Sequence, residues 1–227
     1  MSQSMSALVA GLIVASVLAG AGLGLAVTQG GGFNGTGTTV TVTSTVNGGN
    51  ASAPYVLNLI VTTENTFNST VGTQPAYFVL GPNGLESSAN ISLPAHRTIE
   101  LVITNYDDGN ASLLDPKYAN VMGTTDGVEL VYNNTAINST QGPNGITLSG
   151  SQSVANLPLS EISHTLTVPS LGLNLPIPTE STTIAYFTTG AAGSFTWLCE
   201  TNCGYGPDGT LGAMSTQGWM SGVLNVS

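Results

Sequence analysis

The sequence predicts an all-β antiparallel sandwich behind one N-terminal hydrophobic helix. Three observations predict it. Short runs of alternating apolar and polar residues, rich in Val, Ile and Thr, recur from residue 38 onward. Turn signals built from Gly, Pro and Asn separate them. No stretch after the first apolar run keeps a helical period.

The apolar run is residues 7–27, ALVAGLIVASVLAGAGLGLAV. It carries no charge and is long enough to span a bilayer. The leader MSQSMS lacks Lys and Arg, which favours a retained membrane anchor over a cleaved signal peptide. Small residues crowding its end are what a cleavage site would need, so a signal segment is the alternative. The expected organisation is an anchor or signal over 1–28, then a Gly/Thr-rich linker with one strand over 29–50. A sandwich follows over 51–227, with an insertion at about 107–160.

Residues 38–46 (TTVTVTSTV) alternate strictly and stand isolated between Gly/Asn-rich stretches. Residues 55–63 and 76–80 are the next strands, the latter closed by the turn Gly81-Pro82-Asn83-Gly84. Residues 91–105 hold a turn at Pro94 and a strand over 98–104. Residues 107–159 read as long and irregular, with one strand at 128–132. Strands over 163–168, 182–188, 194–199 and 222–226 complete the pattern.

Charge is scarce, at 6% of residues against about 25% in an ordinary domain. Arg97 and Lys117 are the only basic side chains apart from histidine, so a phosphate-binding surface, and with it nucleic acid, is excluded. Asn-x-Ser/Thr sequons begin at Asn34, Asn50, Asn68, Asn90, Asn110, Asn133, Asn138 and Asn225. They predict a glycosylated part facing the cell exterior. A surface solubilised by neutral groups rather than carboxylates suits an acidophile.

Two cysteines, Cys199 and Cys203, and two histidines, His96 and His164, are the soft and imidazole donors available. In an extracytoplasmic chain two lone cysteines suggest a disulfide; as thiolates they are copper ligands. Both readings stay open on residue type alone. No nucleophile–base pair or phosphate loop stands out, so no hydrolytic or phosphoryl-transfer activity is expected.

Residues 162–178 (ISHTLTVPSLGLNLPIP) and 193–226, which open GSFTWLCETNCGYG and close WMSGVLNV, together resemble the periplasmic, cupredoxin-like domain of cytochrome oxidase subunit II. His164 followed by Val168, Pro169, Leu171 and Gly172 matches the first family segment. Cys199, Glu200, Cys203, Gly204, Gly206, Met220 and Gly222 match the second. The resemblance covers roughly residues 90–226. It implies a cupredoxin-like sandwich and copper held by His164, Cys199, Cys203 and Met220. It further implies electron transfer in a respiratory chain, beside heme-copper oxidase subunits or a redox protein, as a non-catalytic subunit at most.

The departure is the second family histidine, whose place is taken by Pro207, with residues 208–219 intervening before Met220. A complete dinuclear centre is therefore not expected, and His96 is read as structural or exposed. Trp197 and Trp219 are expected as core or site-rim aromatics. The alternative function is a glycosylated surface filament or envelope subunit. In it residues 38–46 would add to a neighbouring copy's sheet, making the chain a partner of itself.

Overall fold

A computed structural model describes residues 24–26, 38–43, 53–64, 74–82, 84–133, 138–142, 145–204 and 212–227. Sequons Asn34, Asn50 and Asn68, residue Pro207 and the apolar run up to residue 23 lie outside the described residues. Asn90 and Asn110 are exposed. Asn133 and Asn138 lie at the start or end of strands.

The described residues form a two-sheet all-β sandwich, the fold class read from the sequence. Strands in chain order are β1 (Gly24–Ala26), β2 (Thr38–Thr43), β3 (Tyr55–Thr62), β4 (Ala76–Gly81) and β5 (Gly84–Ser87). Then come β6 (Asn90–Leu93), β7 (Thr98–Asn105), β8 (Glu129–Asn133), β9 (Asn138–Gly142) and β10 (Gly145–Val154). The last five are β11 (Ile162–Val168), β12 (Leu173–Pro178), β13 (Ser181–Thr188), β14 (Gly193–Leu198) and β15 (Ser221–Val226). Helical structure among them is confined to short 3-10 turns, the longest being Pro116–Ala119.

One sheet has the order β1-β2-β10-β8-β13-β7-β3-β4-β5, with β9 on β10; the other runs β12-β11-β14-β15-β6. Most pairs are antiparallel, but β3 with β7 and β15 with β6 are parallel. On β7, alternate residues Ile99, Leu101 and Ile103 point into the core, where they meet Leu166, Leu175 and Leu224 of the second sheet. The alternation legible in TIELVITN is thus the inward face of a central strand. In β15, Gly222 is required by packing: a Cβ there would stand 2.5 Å from Trp197 Nε1 and 2.7 Å from the Ser88 carbonyl. Trp197 is fully buried, and its Nε1 donates to that same carbonyl.

Three sequence expectations change. The stretch 107–160 holds more than the one strand expected at 128–132, which is β8: β10 pairs with it and extends the large sheet. Strands rich in Gly and Ser such as β10 give weak alternation, so propensity passed them over. Residues 173–178, where no strand was expected, are β12; both prolines sit on an edge strand, where a missing N–H costs no ladder bond. Gly24–Ala26, read as the end of the membrane helix, pair with β2 as a strand. No described helix is long and apolar enough to cross a membrane. Finally, β2 is paired on both edges within its own chain, by β1 and β10.

Candidate metal centre

The candidate site lies where three distant segments meet. β11 brings His164, and the turn after β14 brings Cys199 and Cys203. The loop following β7 brings Asp107. The Cys199 N–H donates to the Met220 carbonyl (2.8 Å), which ties the cysteine turn to the start of β15. The Glu200 N–H donates to Thr165 Oγ1 (2.7 Å), tying it to β11. From the stretch after Asp107, Leu114 N–H donates to the Glu200 carbonyl (2.8 Å) and Asn202 N–H to the Ser112 carbonyl (2.9 Å). The segment around Leu113 therefore straps the cysteine turn from outside.

His164 Nδ1 stands 2.9 Å from Cys203 Sγ, and the two sulfurs are 3.4 Å apart and unbonded. Both thiols are free and buried. One ligand atom from each of His164, Cys199 and Cys203 lies within 4.8 Å of the others. Thr201 Oγ1 sits between the sulfurs, 3.0 Å from Cys199 and 2.8 Å from Cys203, and donates to the Ser163 carbonyl (3.0 Å). The Thr165 N–H points at Cys199 Sγ (3.3 Å). Met220 is fully buried in the same core cluster as both cysteines, and its main chain is joined to Cys199.

The far side of the imidazole is also held. His164 Nε2 donates to Asp107 Oδ2 at 3.0 Å. Beneath the ring, Tyr77 makes edge contacts with His164 (centroids 6.2 Å apart) and Trp197 (5.4 Å), and its hydroxyl donates to the Thr165 carbonyl. The sequence analysis gave neither Asp107 nor Thr201 a role at the site: nothing local marks Asp107, whose partner His164 lies 57 residues away, whereas Thr201 had a local signal in its place between the two cysteines.

His96 is not part of the site. It is exposed, in the left-handed conformation (φ 52°), in the turn before β7, whereas the site lies past the other end of that strand. Eight residues of strand separate the two ends, about 25 Å.

The electrostatics favour one anion between the sulfurs and one cation beside it. Burial disfavours any charge here. Contacts from Cys203, His164 and Thr201 nevertheless hold the Cys199 thiol well below its usual range. The neighbouring Cys199 thiolate, with burial, then pushes Cys203 well above it. For His164, burial works against protonation, but Asp107 and Cys199 overcome it and raise the imidazole to about 9. Burial would raise Asp107, yet the His164 contact and the Gly109 N–H leave its carboxyl below the usual value.

No family model matches the chain, and no curated protein does. Among solved structures it is similar to the copper protein rusticyanin from Thiobacillus ferrooxidans. Identity there is 11%, over 80% of this chain and 85% of that one, with a TM-score of 0.28. It is also similar to auracyanin B, at 12% identity over 76% of this chain and 88% of that one, TM-score 0.26. A multicopper oxidase is similar at 12% identity over 76% of this chain and 43% of that one, TM-score 0.30. These likenesses are remote, and the reading of the site rests on the chain's own geometry.

Proposed function

We propose that this chain is a cupredoxin-like electron-transfer protein that holds one copper ion between His164 Nδ1 and the sulfurs of Cys199 and Cys203. The observation that carries the reading is the approach of these three buried ligand atoms to within 4.8 Å of one another. That span is about two metal–ligand bonds of 2.0 to 2.3 Å. The donor set fits copper: thiolates suit Cu(I), and imidazole suits both oxidation states. One imidazole and no second within reach argue for a single ion rather than a dinuclear pair. Met220, main-chain bonded to Cys199, is the proposed thioether neighbour.

Bound there, copper would supply one-electron exchange. The protein's part is to hold the donors and keep water away. The Thr165 N–H is aimed at Cys199 Sγ, Thr201 packs between the sulfurs, Tyr77 and Trp197 floor the site, and the strap around Leu113 covers the cysteine turn. Donors fixed by the two sheets need little rearrangement when the charge changes.

The finer reading is a subunit II-like component of a terminal oxidase. It would be tethered by the N-terminal apolar run, face the cell exterior and be glycosylated at exposed sequons such as Asn90 and Asn110. Its support is the pair of sequence segments around His164 and Cys199. Metal analysis of protein prepared with copper and without reductant tests the function. One equivalent of copper, with a visible sulfur-to-copper band lost in both Cys203→Ser and His164→Ala, is expected. Protein that takes up no copper, with His164→Ala indistinguishable from wild type, would end the reading and leave a buried dithiol.

A further inference from the structure

We infer that Asp107 is the positioning residue of this metal site, the carboxylate that fixes the ring of His164 and aims Nδ1 at the sulfurs; this rests on the copper reading above. An imidazole can flip about its last side-chain bond, exchanging the places of its carbon and nitrogen edges. A partner on the second nitrogen prevents that without touching the metal. Asp107 Oδ2, 3.0 Å from Nε2, is that partner. A ligating histidine whose other N–H meets a carboxylate is held in one tautomer and made a stronger donor.

Asp107 is built for the task rather than merely nearby. Its other oxygen, Oδ1, accepts the Gly109 N–H at 2.9 Å, so the two oxygens have separate duties. Its own N–H donates to Asn105 Oδ1 at 3.0 Å. Asn105 is fully buried and donates from Nδ2 to the Pro178 carbonyl at 2.8 Å, which joins the end of β7 to the end of β12. The Asp107 carbonyl accepts the Glu180 N–H at 3.1 Å. The carboxylate is thus fixed from both sheets, and its side chain is only 15% exposed. Asp108, its neighbour, is exposed.

Asp107→Asn is the informative variant. An amide keeps the shape but has one acceptor oxygen where the site uses two, so either Gly109 or His164 loses its partner. Asp108→Asn is the control. Copper(II) affinity by competition titration is expected to fall about 10- to 100-fold in Asp107→Asn and not in Asp108→Asn. The reduction potential is expected to rise, because a less basic imidazole stabilises copper(II) less. In the metal-free proteins, the His164 Nε2 proton should exchange slowly in wild type and rapidly in Asp107→Asn, by nitrogen-edited proton spectra. Wild type that binds copper alongside an Asp107→Asn protein of unchanged affinity and potential would overturn the Asp107 role alone. An Nε2 proton that exchanges alike in both would overturn it too. Wild type that binds no copper overturns the proposed function, and with it this role.

Discussion

Two carboxyl groups, half-buried Asp107 and buried Glu129, meet opposite fates. Asp107 sits between His164 and the Gly109 N–H, and its carboxyl is held below its usual range despite burial. Glu129, 1% exposed in β8, has no hydrogen-bond partner on either oxygen among the described residues. Burial alone pushes it well above the usual carboxylate value. The difference teaches that burial does not set the charge state of an acid here; partners do. One carboxylate belongs to an assembled site, and the other is a neutral acid inside a sheet.

The largest expected effect is on the Asp107 side. Asp107→Leu leaves the buried His164 Nε2–H without its acceptor and Cys199 as its remaining counter-charge, and should destabilise the metal-free protein by about 1.5 to 3 kcal/mol in denaturant unfolding at neutral pH. Retention of wild-type stability would mean that the pair does not hold the charge. The opposite sign is expected at the other acid. Glu129→Met replaces an unpartnered polar group by an apolar one of similar size, and should stabilise the protein by about 1 to 3 kcal/mol. A destabilised Glu129→Met would show that the carboxyl has a partner.

The two acids also differ in how pH reaches them. The folded value of Glu129 is raised, so its contribution is complete below the unfolded value of about 4.3 and is lost as pH rises. Stability should therefore decline above pH 4 by up to about 1.4 kcal/mol per pH unit from this group, and Glu129→Gln should flatten that decline. The folded value of Asp107 is lowered, so its contribution is present above about 3.9 and disappears as pH falls further; Asp107→Asn should weaken that acid limb. The raised His164 and lowered Cys199 exchange one proton between them. The two shifts pull the pH dependence in opposite directions and so offset each other. The smallest effect should come from Gly109→Ala. Its Cβ would stand 3.2 Å from Asp107 Oδ1. The oxygen must yield a few tenths of an ångström, for a loss under about 1 kcal/mol.

Much of the sandwich was legible in the chain. Residues 55–63, 98–104, 182–188 and 222–226 show alternation because alternate side chains, such as Ile99, Leu101 and Ile103, enter the core, and each is a strand within a residue or two of its expected limits. β8 was legible at 128–132, whereas β9 and β10 were not: their Gly, Ser and Asn content gives little strand signal, and pairing decides them. At the site, His164, Cys199 and Cys203 were singled out because thiol and imidazole are rare in this composition. Asp107 was invisible, since a carboxylate two residues past a strand looks like any turn former until the fold sets it against β11. Thr201 was hidden likewise among the many threonines.

The wide sequence separations that build the site bear on how the protein folds. Asp107 and His164 are 57 residues apart, His164 and Cys203 are 39, and Tyr77 and Thr165 are 88. Closing such loops is slow, and each contact is rewarded only when the others are in place. The cluster should therefore form after the barrier to folding has been crossed, so that truncating His164 or Cys203 quickens unfolding several-fold and barely alters the refolding rate. In stopped-flow measurements, a refolding rate that drops in step with stability would instead put these residues in the nucleus. On the expected order, the sheets assemble as a finished scaffold first, and the metal-binding chemistry matures on it last.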